Sequence, residues 1–90
     1  MKPKLYLFVF DPAKSNPYTI HPIITGMPLK SDWWHYIGPA YILASTSSAI
    51  EISNYLNARS IGSFMLTEIN AHNSGGWLPK AAWDWINARR

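Results

Sequence analysis

The sequence has no cysteine, and only 14% of its 90 residues are charged. The absence of cysteine excludes a disulfide framework, a thiolate metal site and a thiol nucleophile. No apolar run reaches the ~18 residues that a membrane-spanning helix needs, and the N-terminus lacks the basic, apolar and small-residue pattern of a secretory signal. We therefore expect no membrane association and a cytoplasmic location.

Apolar residues, by contrast, are abundant. They make up 48% of the chain, which is typical of a globular protein rather than a disordered one. The length suits one domain, residues 1–90, that buries over ~60% of the surface its unfolded chain exposes. Because few charges are present to cover this apolar surface, we predict that a second copy buries part of it in a homodimer. The formal charge of +3 is compatible with nucleic acid, although the basic residues are scattered.

Hydrophobic patterning predicts four strands and three helices. The first segment, KLYLFVF, has no polar alternation, so we expect a central strand buried on both faces. The predicted strands are 4–10, 32–37, 40–44 and 64–69. The predicted helices are 18–27, 48–58 and 79–88, and Ser48 with Glu51 forms a capping box at the start of the second.

This order predicts the α+β fold class and, within it, a ferredoxin-like βαββαβ sandwich. Right-handed crossovers would interleave two β-α-β units into a four-stranded antiparallel sheet with helices on one face, plus a C-terminal helix. We expect that last helix to dock through Trp77, Trp83 and Ile86. The first and third strands are expected to be parallel neighbours, which would place Asp11 close to Ser45.

The edge of the sheet next to Asp11 is the first candidate site. Asp11 ends the first strand, and Ser45, Thr46, Ser47 and Ser48 precede the second helix. Because backbone N–H groups at helix starts attract anions, this edge could bind the phosphates of a nucleic acid. Alternatively, Asp11 caps a turn and the serines cap the helix.

The aromatic residues form a second candidate site. Four of the five tryptophans lie in two close pairs, Trp33-Trp34 and Trp83/Trp85, a pattern typical of a core or an interface. They could instead stack on single-stranded nucleic acid, at ~1–3 kcal/mol per base, with Lys30 as the only basic residue beside the first pair.

The histidines give no metal-ligand spacing, and His21 and His72 are isolated in the sequence. His35 lies within the aromatic segment and could bind a nucleobase or transfer a proton. Alternatively it is a packed histidine whose ring bonds a backbone carbonyl.

Several motifs together resemble a group of small bacterial proteins often labelled "SinR family". They are FD at 10–11, DWWHY at 32–36, AIEISNYL at 49–56, EI at 68–69, GWLP at 76–79 and WDWI at 83–86. The resemblance covers nearly the whole chain but implies no defined activity, and the strand-rich sequence does not support a helix-turn-helix repressor. By architecture the group is similar to the small CRISPR adaptation subunit and to VapD-type endoribonucleases. That wider resemblance implies a catalytic Asp11 that binds Mg²⁺ together with its dyad mate in a homodimer.

Three functions follow from these observations. The chain could be a nucleic-acid-binding protein that uses the 45–48 segment, His35 and Lys30. It could be a metal-dependent endoribonuclease or nuclease that uses Asp11 and Mg²⁺. It could also be a non-catalytic module that binds a protein partner and needs no cofactor.

Overall fold

The computed structural model describes residues 3–28, 32–35, 38–70, 72 and 75–89. Within them the elements follow in the order β1 (Lys4–Phe10), α1 (Pro17–Thr25), β2 (Asp32–His35), β3 (Ala40–Ser45), α2 (Ala49–Asn57), β4 (Phe64–Ile69) and α3 (Lys80–Asn87). The strands form one antiparallel sheet in the order β2-β3-β1-β4. The chain is a small α+β domain, as the sequence predicts. None of its helices, over the residues described, has the length and hydrophobicity to cross a bilayer.

The central position of β1 confirms the interpretation of its apolar run. It pairs with β3 on one side and with β4 on the other. Its side chains alternate between the two faces of the sheet, so that Tyr6 and Phe8 pack in one cluster while Leu5 packs in another. Because the side chains of Leu5 to Phe10 are all buried or partly buried, this strand has no need of polar alternation.

The first face of the sheet carries the larger core, which α1 and α2 cover. Its buried residues are Tyr6, Phe8, Phe10, Ile20, Ile24, Met27, Tyr41, Leu43, Ile52, Leu56 and Ile61. Helix α1 begins one residue earlier than predicted because Pro17 occupies its first turn and the Asn16 side chain accepts a hydrogen bond from the Tyr18 N–H.

The second face of the sheet is covered in part by α3. Ile86 packs there against Leu5 and Ala44, with the partly buried Ile42, Ile69, Leu78, Trp83 and Trp85 around them. The docking residues Trp83 and Ile86 were therefore predicted correctly. The prediction for Trp77 was wrong, because its side chain is fully exposed and the next residue, Leu78, packs instead.

The end of α3 is fixed to the edge strand β2. The Trp85 ring lies 6.4 Å from the Trp34 ring. The Arg89 guanidinium lies 4.0 Å above the Trp85 ring, donates to the Trp85 carbonyl at 3.0 Å, and forms an ion pair with Asp32. These contacts hold α3 over one end of the second face and leave the other end open.

The expectation that β1 and β3 are parallel is wrong. Lys4 pairs with Ser45 and Val9 with Ala40, so the two neighbours run in opposite directions. The cause is the β2–β3 hairpin, which reverses the chain after the α1 crossover has returned β2 to the direction of β1. Consequently Asp11 and Ser45 lie at opposite ends of the sheet, roughly 20 Å apart at ~3.3 Å per strand residue.

Candidate interaction groove

An apolar groove lies on the second face of the sheet, beside α3. Its floor is a row of paired residues, in which Ile42 stands between Leu7 of β1 and Trp34 of β2. Paired residues of an antiparallel sheet project from the same face, so these three side chains form one continuous surface. The groove has a volume of about 310 Å³. It is lined by Leu7, Trp34, Ala40, Tyr41, Ile42, Gly75, Gly76, Trp77 and Leu78.

The chain segment 75–78 forms the wall of this groove. Gly76 has a φ of +156°, a backbone conformation that favours glycine. Leu78, two residues later, is anchored in the apolar cluster under α3. Between them Trp77 is left with its whole side chain in solvent. The result is a projecting indole at the rim of a groove lined by apolar and aromatic side chains.

The apolar surface continues past the groove to the edge strand β4. Val9 pairs with Ala40 on one side and with Met65 on the other, and Met65 is 59% exposed. The next row, Trp34-Ile42-Leu7, ends at Thr67. Neither of these two rows contains a charged residue. We call the groove, Trp77 and the Val9 row together the groove face.

One polar atom at this site has no described partner. The Trp34 indole Nε1 is buried and makes no hydrogen bond to the residues that the structure describes. A buried donor of this kind costs ~1–3 kcal/mol when it stays unpaired. The indole of Trp34 packs on the ring of Trp85, with the two ring centroids 6.4 Å apart.

Asp11 is a turn residue in this structure. Its carboxylate Oδ1 accepts a hydrogen bond from the Ala13 N–H at 2.9 Å. Its backbone carbonyl accepts from the N–H groups of Lys14 and Ser15. This is the turn-capping alternative that the sequence offered. Among the residues described, no group of three His, Asp or Glu side chains could hold a metal ion.

The 45–48 segment is used to start α2. The Ser48 hydroxyl accepts from the Glu51 N–H, and the Glu51 carboxylate accepts from the Ser48 N–H, which confirms the predicted capping box. Ser45 is fully buried, and its hydroxyl accepts from the Ser47 N–H at 3.0 Å. The Ser47 carbonyl accepts the Tyr6 hydroxyl at 2.8 Å. Thr46 is exposed between them.

His35 lies at the same end of the sheet as Asp11, away from the 45–48 segment. Its ring Nδ1 is 2.9 Å from the carbonyl oxygen of Ala40, and its ring stacks on Tyr41 at 4.2 Å. The carbonyl-bonded alternative is therefore the one observed. The remaining predicted binding residue, Lys30, lies outside the described residues. Those predicted site residues that are described, Asp11, His35 and the 45–48 segment, do not come together in one site.

A cluster that the sequence did not indicate joins α1 to the sheet. His21 Nδ1 lies 2.8 Å from the hydroxyl of Tyr41, and the edge of the His21 ring meets Trp33 at 5.0 Å. Burial raises the pKa of Tyr41, so its phenol stays neutral and serves as a hydrogen-bonding group. His21 seemed isolated because its partners come from two strands that are distant in sequence.

The groove and Trp77 were also missed. The GWLP motif was assigned to helix docking, and the only signal for the alternative was the pair of glycines at 75–76, which frees the backbone before the indole. Comparison of the chain with protein-family models, curated proteins and solved structures gives no match.

Proposed function

We propose that this chain is a non-catalytic interaction module that binds an aromatic or apolar side chain of a protein partner in its groove. The observation that carries this proposal is the fully exposed Trp77 at the rim of a groove of about 310 Å³. Tryptophan is enriched among the residues that dominate binding energy at protein interfaces. A groove near ~300 Å³ is at the lower end of ligand-site volumes, enough for one large side chain.

We also infer that the fold is ferredoxin-like. The order βαββαβ and the strand order β2-β3-β1-β4 support this, with α3 as an addition on the opposite face. Folds of this breadth host many functions, so the assignment alone does not select one. The similarity to proteins labelled SinR family, and through them to the adaptation subunit and VapD-type enzymes, stays a prediction.

Nucleic-acid binding is the second candidate. The exposed ring of Trp77 could stack on a base, and the formal charge of +3 favours a polyanion. Its support is weaker, since the rows of the groove face contain no basic residue to meet phosphates. The nuclease alternative has less support still, because the Asp11 carboxylate caps its own turn.

The proposal can be tested with an isolated indole, N-acetyltryptophanamide, titrated into labelled Trp77→Ala protein and followed by NMR. The Trp77→Ala substitution is used so that the indole of Trp77 cannot occupy the groove in place of the added ligand. We expect saturable shifts of the Leu7, Ile42 and Gly75 amides with a dissociation constant of about 1 mM, a value typical of one small ligand.

The matched control adds Ala40→Trp to the same protein. Ala40 lies in the groove, and a large side chain there should fill it. Amide shifts that are absent in the single variant, or equally large in the filled one, would contradict the proposal.

A further inference from the structure

We infer that the partner of the groove face is a second copy of this chain, and that each copy inserts Trp77 into the groove of the other. This inference rests on the proposed function, because it uses the same groove. It specifies that the aromatic side chain entering the groove is Trp77 of the second copy.

Trp77 and the groove lie side by side on the groove face. Trp77 is one of the residues that line the groove, and its exposed side chain projects from the rim. In a two-fold dimer the same patch meets itself, so a projection on one copy faces the corresponding region of its mate. When two such rims come together, each indole lies over the opposite groove. A projection and a cavity side by side on one face are therefore self-complementary.

The distribution of charge favours the groove face as the surface at which two copies meet. The chain carries a formal charge of +3, so two copies repel each other, and an uncharged contact surface brings no further like charges close together. The rows Val9-Ala40-Met65 and Trp34-Ile42-Leu7-Thr67 supply such a surface. Among the described residues, the other large exposed apolar side chains are Tyr18 and Ile50, which lie on helices that cover the opposite face.

The area that two inserted rings would bury is close to that of a small specific interface. A tryptophan buries ~150–250 Å², so two inserted rings with an equal area of groove cover roughly 600–1,000 Å². Met65 and Val9 beside the groove add to this. The total approaches the ~1,000–1,200 Å² at which specific interfaces begin. We therefore expect a reversible dimer whose population depends on concentration.

Sedimentation velocity over a concentration series tests the inference. The parent should shift from monomer to dimer mass within about 1–100 µM, the range of weak specific association. Trp77→Ala should weaken dimerisation about tenfold or more, as expected of a central anchor. Tyr18→Ala is the matched control, since it also removes an exposed aromatic ring, 89% exposed, but from α1. It should dimerise like the parent.

Two further variants act on the receiving side. Ala40→Trp should fill the groove and weaken dimerisation. Met65→Lys places like charges on both copies at an exposed position of an edge strand, so it tests the same face without disturbing the core. It should weaken dimerisation even if Ala40→Trp does not fold.

Mixing provides the sharpest test of reciprocal insertion. A Trp77→Ala chain keeps its groove but lacks the ring, whereas an Ala40→Trp chain keeps the ring but lacks the groove. One of the two insertions can form in the mixed dimer and neither in the homodimers. The mixture should therefore associate more strongly than either variant alone.

The inference is overturned if the parent stays monomeric throughout, which includes the case in which Trp77 folds back into its own groove. It is also overturned if Trp77→Ala dimerises like the parent, or if mixing restores nothing. When the parent is monomeric but the Trp77→Ala groove still binds N-acetyltryptophanamide, the proposed function stands and only the identity of the partner is wrong. When the parent is monomeric and the Trp77→Ala groove does not bind N-acetyltryptophanamide, both the inferred dimer and the proposed function are wrong.

Discussion

Removing the Ile86 side chain should show whether α3 is an integral part of the domain. Ile86 is 4% exposed and packs on Leu5 and Ala44 across the second face of the sheet. Ile86→Ala deletes about three methylene-sized groups at ~0.8 kcal/mol each, or ~2.4 kcal/mol. The cavity left behind adds to this, since buried Ile→Ala changes cost ~2–5 kcal/mol. We expect a loss of about 3 kcal/mol in the free energy of unfolding.

Ile50→Ala is the matched control, because Ile50 also lies in a helix but is 73% exposed. Both variants gain the same small helix propensity from alanine, so their difference isolates burial. Urea unfolding followed by circular dichroism measures the free energy of unfolding of both variants, and thermal unfolding measures their melting temperatures. A loss of about 3 kcal/mol should lower the melting temperature by roughly 12–24 °C in a domain of this size, whereas Ile50→Ala should change it little. Equal effects of the two substitutions would refute the docking of α3.

Three other predictions concern Asp11, nucleic-acid binding and Tyr41. We expect neither the parent nor Asp11→Asn to cleave labelled RNA or double-stranded DNA in the presence of Mg²⁺ or Mn²⁺, because the Asp11 carboxylate is held in a turn. Cleavage by the parent that is abolished both by chelator and by the substitution would restore the nuclease alternative. Any binding to the same nucleic acids should fall steeply with salt, since phosphate contacts release counterions. Burial raises the pKa of Tyr41 above its usual 10.0, so the stabilisation from its neutral phenol is complete below that pH and is lost as pH rises through the folded-state pKa. Urea unfolding at about pH 9 and about pH 11 should show a smaller alkaline loss for Tyr41→Phe than for the parent, and an equal loss in both would contradict this.

Local signals in the sequence predicted the elements well. The strand Lys4–Phe10 has no polar alternation, and the capping box of Ser48 fixes the start of α2, so both could be read from neighbouring residues. The strand Phe64–Ile69 was likewise predicted with its observed bounds. These features depend on backbone propensity and on contacts within a few residues.

The candidate site could not be predicted in the same way. Asp11 was placed beside Ser45 through an error in strand direction, and a single reversal of direction moves a residue the length of the sheet. Likewise, Trp77 and Trp83 look equivalent in the sequence, and only the tertiary structure shows that one packs on the second face while the other faces solvent. Contacts between segments that are distant in sequence decide both outcomes.

The exposure of Trp77 is the strongest reason to look for a partner. A single exposed apolar residue is common and needs no explanation. This one, however, forgoes the burial of ~150–250 Å², or roughly 4–6 kcal/mol at ~25 cal/mol per Å². Gly76 and the anchored Leu78 hold it outward beside a groove and two uncharged rows. The isolated domain gains no burial energy from that ring in water, whereas the proposed complex would cover the ring and gain that energy.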